Sequence, residues 1–160
     1  MSPLQCGIGV ADAVHSVGTA LRQCRELLKS DSGIGILQID LKNAFNSVSR
    51  EPILEFVKCH LPKALAWVQW MFSSKVPLFC ADQVIVCSTG VQQGDPLGPL
   101  LFAAGIHKIL EEVKNRWGAI WSVWYLDDGS IMGRIEDLND ILAYLEERFG
   151  HIGLVVNFDK

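Results

Sequence analysis

The stretch AIWSVWYLDDGSIMG, residues 119–133, decides the fold. Its two apolar runs, Ala119 to Trp124 and Ser130 to Gly133, are typical of β-strands, and the short segment between them predicts a tight hairpin turn. Asp127 and Asp128 lie at the tip of this hairpin. Two adjacent carboxylates repel each other unless cations neutralise them, so the pair indicates a divalent metal site.

A third carboxylate strengthens this interpretation. Asp40 follows the apolar run Ile34-Gly-Ile-Leu-Gln-Ile39, which predicts a central strand. Carboxylates delivered from the ends of two separate strands are what a two-metal phosphoryl-transfer site requires. The sequence Asp127-Asp128-Gly129 is also ordinary turn chemistry, so the pair taken alone favours a surface turn, and only Asp40 and the further motifs favour a metal site.

Length and composition indicate one globular domain. The chain has 160 residues, of which 49% are hydrophobic and 20% are charged. Its formal net charge of −4 argues against a self-sufficient nucleic-acid binder, because phosphate contacts come mainly from Lys and Arg. Three of the acidic residues are predicted metal ligands, which accounts for part of this excess.

The sequence indicates an intracellular protein, nuclear or cytoplasmic, without a membrane partner. No apolar run reaches the length needed to span a bilayer, and the segment Met1 to Cys6 lacks the charged and apolar regions of a signal peptide. The five cysteines are odd in number and form no C-x-x-C pair, which favours reduced thiols.

Hydrophobic periodicity predicts an α+β fold, an antiparallel sheet with helices packed on one face. Strands are expected at 34–39, 76–80, 83–87 and 154–156, besides the two of the hairpin at 119–133. Helices are expected at 11–29, 50–60, 61–72, 99–117 and 135–149. Such a fold leaves the carboxylates together on the open face of the sheet.

Four ordered sequence blocks resemble the palm domain of reverse transcriptases. They are LQIDLKNAF (37–45, motif A), GVQQGDPLGPLLF (90–102, motif B), YLDD (125–128, motif C) and GLVVNFDK (153–160, motif D). The segment QCGIGV (5–10) also resembles the link between the fingers and palm of that family. The resemblance is greatest to the non-LTR (LINE-type) retroelement enzymes and the related group II intron enzymes, and it spans nearly the whole chain.

This resemblance implies an RNA-directed DNA polymerase. Asp40 and Asp127 would bridge two Mg²⁺ ions, with Asp128 assisting and Mn²⁺ as a substitute. The implied substrates and partners are deoxynucleoside triphosphates, a DNA primer with a 3′-hydroxyl and an RNA template. An RNA-dependent RNA polymerase palm shares the metal chemistry, but Tyr125 before the acidic pair and Phe45 after motif A disfavour it.

The resemblance also assigns contacts to the incoming nucleotide and the primer. Phe45 corresponds to the aromatic side chain that leaves no room for a ribose 2′-hydroxyl, so it favours deoxynucleotides. Lys160 corresponds to the motif D lysine that acts as general acid toward the leaving pyrophosphate. The remaining substrate contacts are assigned to Leu41, Gln93, Gly94 and Tyr125. Lys42 and Arg50 are candidate phosphate contacts, although surface cations of this kind are usually only solvated.

The chain departs from the family at both ends. The resemblance implies that residues 1–160 are the palm together with the end of the fingers. The basic strands of the fingers and the thumb of the family are expected to have no counterpart in this sequence. The alternative hypothesis is therefore a catalytically inactive truncated retroelement fragment that at most binds nucleic acid or protein. Exposed apolar surface is expected where fingers and thumb would pack, with Trp67, Trp70 and Phe72 as candidates.

Overall fold

Seven strands and six α-helices make up the fold in the computed structural model, which describes residues 5–6, 13–73, 76–117 and 121–158. The helices are α1 (Ala13–Ser30), α2 (Ala44–Ser47), α3 (Arg50–His60), α4 (Leu65–Ser73), α5 (Gly98–Trp117) and α6 (Ile135–His151). The strands are β1 (Ile34–Ile39), β2 (Leu41–Lys42), β3 (Val76–Cys80), β4 (Gln83–Cys87), β5 (Trp121–Tyr125), β6 (Asp128–Arg134) and β7 (Val155–Val156). The predicted α+β class is confirmed.

A three-stranded antiparallel sheet in the order β1-β6-β5 forms the centre. Its register pairs Ile39 with Gly129 and Tyr125 with Asp128. Because side chains alternate between the faces of a strand, Ile39 and Ile131 point to one face, whereas Asp128 and Ser130 point to the other. The predicted hairpin between β5 and β6 is thereby confirmed, with the acidic pair at its turn.

Helices cover the face of the sheet that carries Ile39 and Ile131. Helix α6 packs on β1 and β6 and places Ile141, Leu145 and Phe149 in the core, and α5 packs between α6 and α3. Burial of this apolar surface supplies the main stabilisation of the domain. Helices α5 and α6 thus lie on the Ile39 and Ile131 side of the sheet, and Asp128 and Ser130 lie on the opposite face at the end of β6.

A polar cluster ties α5 to α6 at the edge of the core. The Tyr144 hydroxyl donates to a Glu112 carboxylate oxygen at 2.6 Å, and the Arg148 guanidinium pairs with Glu112 at 3.1 Å. Burial by itself would raise the pKa of Glu112, but the hydrogen bond from Tyr144 and the charge of Arg148 outweigh burial and lower that pKa.

Three features differ from the sequence-based expectations. The connection after Asp40 contains the four-residue helix α2, which is too short to show periodicity. The helix expected at 61–72 is a 3₁₀ turn, Pro62–Ala64, followed by α4. Strand β7 pairs with β2 in a two-stranded ladder separate from the central sheet. The hairpin expected from the strands at 76–80 and 83–87 is confirmed as β3 and β4.

The exposed apolar surface is partly as expected. Trp67 and Trp70 are exposed, the latter by 68%, whereas the ring of Phe72 is half-buried beneath the Arg50 guanidinium. On the β3–β4 hairpin, Phe79 and Val84 are cross-strand partners and are also exposed. Among the described helices, none is both long and apolar enough to cross a membrane.

Candidate active site

The hairpin turn brings the acidic pair to the edge of the sheet. Leu126 and Asp127 are its two central residues, flanked by the cross-strand pair Tyr125 and Asp128. Leu126 has a φ of 58°, in the left-handed region. Beneath the turn, the Trp124 ring lies so close to Gly129 that a Cβ atom there would sit 2.6 Å from the indole. The hairpin therefore requires glycine, which has no Cβ atom, immediately after the acidic pair.

Asp40 reaches the same region from the end of the neighbouring strand β1. It lies between β1 and β2, and its main-chain oxygen accepts a hydrogen bond from the Asn157 amide at 2.8 Å. The side chain of Asn157 donates to Asp40 Oδ2 at 2.6 Å. This contact orients the Asp40 carboxylate, because a short bond to a fixed partner limits rotation of the side chain.

A depression of about 360 Å³ opens between these elements. The residues that line it include Asp40, Asp128, Ser130 and Asn157. Asp127 lies in the adjoining turn, outside this lining. Within the described ranges, no three His, Cys, Asp or Glu side chains cluster tightly enough to enclose a metal ion by themselves. The predicted carboxylates of motifs A and C are thus neighbours, with two of the three lining one depression.

Motif B begins against the helix that follows motif A. The Val91 amide donates to the Phe45 main-chain oxygen at 2.7 Å, and the Gly90 amide donates to that of Val48 at 2.9 Å. The Phe45 ring stacks on Phe102 of α5, with ring centroids 4.7 Å apart. Phe45 is half-buried, so one side of its ring is fixed by the core while part of it reaches solvent.

The other predicted substrate residues occupy different environments. Gln93 and Gly94 are exposed in the loop before α5, and Tyr125 is 44% exposed. Leu41 is buried in the core, so a contact of this residue with a substrate would have to come from its main chain. Lys160 lies outside the described residues.

The contacts that Arg50 makes within the protein indicate a structural role for this residue. Its guanidinium donates to the main-chain oxygens of Gly90 at 3.0 Å and of Thr89 and Phe72 at 3.4 Å each. It also stacks over the Phe72 ring, 4.8 Å from the centroid. A forked, planar cation can satisfy several carbonyls that converge from different segments. Arg50 therefore joins α3 and α4 to the segment that leads from β4 into motif B.

We expect Arg50→Met to lower the free energy of unfolding by about 2 kcal/mol, because hydrogen bonds to a charged donor are lost from partly buried carbonyls. Arg50→Lys should recover only part of this loss, since an ammonium cannot reproduce the fork. Urea unfolding measures both. Arg134→Met, which removes an exposed ion pair with Glu136, is the matched control and should change stability by less than about 0.5 kcal/mol. Equal losses for Arg50→Met and Arg134→Met would contradict this role.

Asn157 is a site residue to which the sequence pattern assigned no role. It stands inside motif D, but its contact with Asp40 joins residues 117 positions apart and follows only from the pairing of β2 with β7. Gln5 is a second such residue. Its buried amide contacts the main chain of Leu126, 121 positions away. In both cases the residue lies in a recognisable sequence block, but the sequence does not reveal which distant residue it contacts.

Comparison with known proteins identifies the family of the chain. The family model described as reverse transcriptase (RNA-dependent DNA polymerase) matches residues 3–160. The chain is 28% identical over 166 aligned positions to a retrotransposable element SLACS 132 kDa protein of Trypanosoma brucei gambiense. It is also 28% identical over 148 positions to a Pol polyprotein from the type-1 retrotransposable element R2 of Nasonia vitripennis. These alignments cover 99% and 89% of the chain but only 14% of each relative.

Two solved structures share the fold. The apo telomerase of Candida tropicalis superposes with a TM-score of 0.68 at 12% identity, covering 91% of this chain and 31% of the telomerase chain. The telomerase of Candida albicans, in complex with a fragment of telomeric RNA, gives a TM-score of 0.66 at 14% identity, covering 91% and 29% of the two chains. The ordered motifs, the paired strands that carry them and the family match over nearly every residue establish that this chain belongs to the reverse transcriptase family.

Proposed function

We propose that this chain is the catalytic palm of an RNA-directed DNA polymerase, in which Asp40, Asp127 and Asp128 bind two Mg²⁺ ions. The observation that carries the proposal is the depression at the end of β1 and the start of β6, which Asp40 and Asp128 line together. The reaction is attack of a primer 3′-hydroxyl on the α-phosphate of a deoxynucleoside triphosphate, directed by an RNA template. Pyrophosphate leaves, so one phosphodiester bond forms as one phosphoanhydride bond breaks.

The donor set fits Mg²⁺. This ion prefers carboxylate oxygens and usually binds to one or two of them, with waters and substrate phosphates completing its shell. The depression has two carboxylate residues in its lining and a third in the adjoining turn. This number of protein ligands suits Mg²⁺, because it leaves coordination positions for waters and substrate phosphates. When bound, the ions supply activation of the 3′-hydroxyl and stabilisation of charge on the leaving pyrophosphate.

The neighbouring residues have positions that suit roles in binding substrates. Phe45, braced by Phe102, would exclude a ribose 2′-hydroxyl. Exposed Gln93 and Gly94 would lie beside the incoming nucleotide, and exposed Tyr125 would lie under the primer terminus. Lys160 would protonate the leaving pyrophosphate. Asn157 would keep the Asp40 carboxylate oriented toward the metal ions.

A larger protein would supply the remaining contacts. The chain spans 14% of the length of its two retrotransposon relatives, so fingers, thumb and other domains have room outside it. We propose that residues 1–160 are the palm with the end of the fingers, and that template, primer and dNTPs are held jointly with those further segments.

Primer extension tests the proposal. The chain is incubated with an RNA template, a DNA primer, dNTPs and Mg²⁺, beside its Asp127→Asn, Asp128→Asn double variant. Extension that needs Mg²⁺ and disappears in the double variant is the expected result. Extension by the double variant at the rate of the unaltered chain would contradict the assignment of these carboxylates. Absence of extension by both proteins, with folding verified by circular dichroism, would mean that this chain is not an enzyme without the further segments.

We expect Phe45→Val to relax sugar selection. Removing the ring opens space beside the sugar, so incorporation of ribonucleotides relative to deoxynucleotides should rise by about 10- to 100-fold. Single-nucleotide incorporation with dNTP and rNTP measures this ratio. Phe56→Leu, which also shortens a buried ring but in α3 facing His60, is the control and should leave the ratio unchanged. An unchanged ratio in Phe45→Val would contradict the assignment.

One observation favours the alternative of a non-catalytic binding module. Trp67, Trp70, Phe79 and Val84 are exposed, and exposed apolar surface of this kind often marks a protein contact. The two functions separate in the extension assay, because a binding module would retain any partner contact in the double variant and would not polymerise in either form.

A further inference from the structure

The amide of Gln5 makes a two-point contact with the acidic turn. The Leu126 amide donates to Gln5 Oε1 at 2.8 Å, and Gln5 Nε2 donates to the Leu126 main-chain oxygen at 3.1 Å. Gln5 is 2% exposed, although it is polar and lies far from Leu126 in sequence. A buried polar side chain is retained only where its hydrogen bonds are satisfied, so this position demands an amide.

The residue that Gln5 contacts is the strained member of the turn. The left-handed region is unfavourable for any residue with a Cβ atom, and Leu126 lies there with a φ of 58°. Such a conformation persists only where surrounding contacts hold it. The Gln5 amide supplies a donor and an acceptor that match both main-chain groups of Leu126.

Main-chain contacts with β5 hold Gln5 itself in place. Gln5 forms a parallel bridge with Trp124, and the Cys6 amide donates to the Trp124 main-chain oxygen at 2.7 Å. The Trp124 side chain is fully buried and packs against Phe149 of α6. Gln5 is therefore attached to the core of the sheet on one side and to the turn on the other.

We propose that Gln5 is a positioning residue that holds Leu126 in its left-handed conformation and thereby sets where Asp127 and Asp128 lie relative to Asp40. The importance of that placement rests on the proposed function, whereas the contact itself does not. Only an amide of this length serves. Glutamate, once ionised, offers no donor to the Leu126 oxygen, and methionine offers neither donor nor a comparable acceptor.

Hydrogen exchange measured by NMR on the full chain tests the contact without reference to catalysis. In Gln5→Met, exchange of the Leu126 amide should accelerate by about tenfold or more, because its acceptor is lost. Amides in α3, remote from the turn, serve as the internal reference and should keep their rates. Unchanged exchange at Leu126 would overturn the inference.

Mn²⁺ affinity, measured by electron paramagnetic resonance, tests whether the contact positions the carboxylates. Gln5→Met should weaken Mn²⁺ binding by about tenfold, as expected for a residue that orients metal ligands. In a Leu126→Gly background the same change should cost less, since glycine adopts a positive φ without support. Equal loss in both backgrounds would overturn positioning through Leu126. If the unaltered chain binds no Mn²⁺, the proposed function fails, and hydrogen exchange alone decides on the role of Gln5.

Discussion

The Asp127→Asn, Asp128→Asn double variant is expected to bind Mn²⁺ more weakly than the unaltered chain by more than about 100-fold, a larger loss than removal of an outer-shell partner causes. Asparagine keeps the shape of the side chain but carries no charge, and divalent cations are held mainly by ionised oxygen ligands. The midpoint temperature of thermal unfolding should be unchanged or slightly higher, because two adjacent negative charges no longer repel each other. Electron paramagnetic resonance and a thermal melt measure the two quantities.

The chain offers a matched control for this experiment in a second hairpin. The β3–β4 turn also has two central residues, Ala81 and Asp82, and Ala81 has a φ of 51°, close to that of Leu126. Asp82 thus occupies the same place in its turn as Asp127, but its hairpin is a separate two-stranded sheet, unpaired with the central sheet that carries Asp40. Asp82→Asn should leave Mn²⁺ affinity unaltered. Equal weakening by Asp82→Asn and by the double variant would mean that binding reflects net charge and not a site.

Replacing Gly90 with alanine is expected to cost about 3 kcal/mol of unfolding free energy, from left-handed strain and from overlap in a packed region together. Gly90 has a φ of 71°, and a Cβ atom there would lie 2.4 Å from main-chain atoms of Asn46. Main-chain atoms cannot move aside as a flexible side chain can. The start of motif B would therefore have to move away from α2. Urea unfolding measures the resulting loss of unfolding free energy.

Gly94→Ala separates the two contributions to this loss. Gly94 has a φ of 90°, but an added Cβ atom would meet no atom within 4 Å. Its replacement should therefore cost only about 1 kcal/mol, the penalty for the unfavourable backbone conformation. If Gly90→Ala were no more costly than Gly94→Ala, the close packing of motif B against α2 would be contradicted.

Local signals made most of the fold predictable from the sequence. Helix α3 has the predicted bounds, because Ser49 is an N-cap whose hydroxyl accepts from the Glu51 amide and Pro52 is tolerated in the first turn. The bounds of β3 and β4 were also predicted, since two residues separate two apolar runs. Helix α2 was missed because one turn of helix, entered through Asn43 at a φ of 48°, carries no periodic signal.

The candidate site was predictable as a set of residues but not as a network. Motif A identifies Asp40, which directly follows an apolar strand. Motif C identifies the acidic pair, which lies between two apolar strands. The partners of these groups depend on tertiary pairing across more than a hundred residues, as with Asn157 on Asp40 and Gln5 on Leu126. Arg50 shows the same limit, since its position next to a motif suggested phosphate and its contacts are main-chain carbonyls.

The most direct test of the central claim is a crystal of the chain with Mn²⁺, a primer–template and a non-reactive dNTP analogue, analysed for anomalous scattering. The account predicts two anomalous peaks in the depression lined by Asp40 and Asp128, both in contact with carboxylate oxygens of Asp40, Asp127 or Asp128. A peak elsewhere on the surface, or a bound nucleotide with no metal between it and these carboxylates, would contradict the assignment of this site to metal-dependent nucleotidyl transfer.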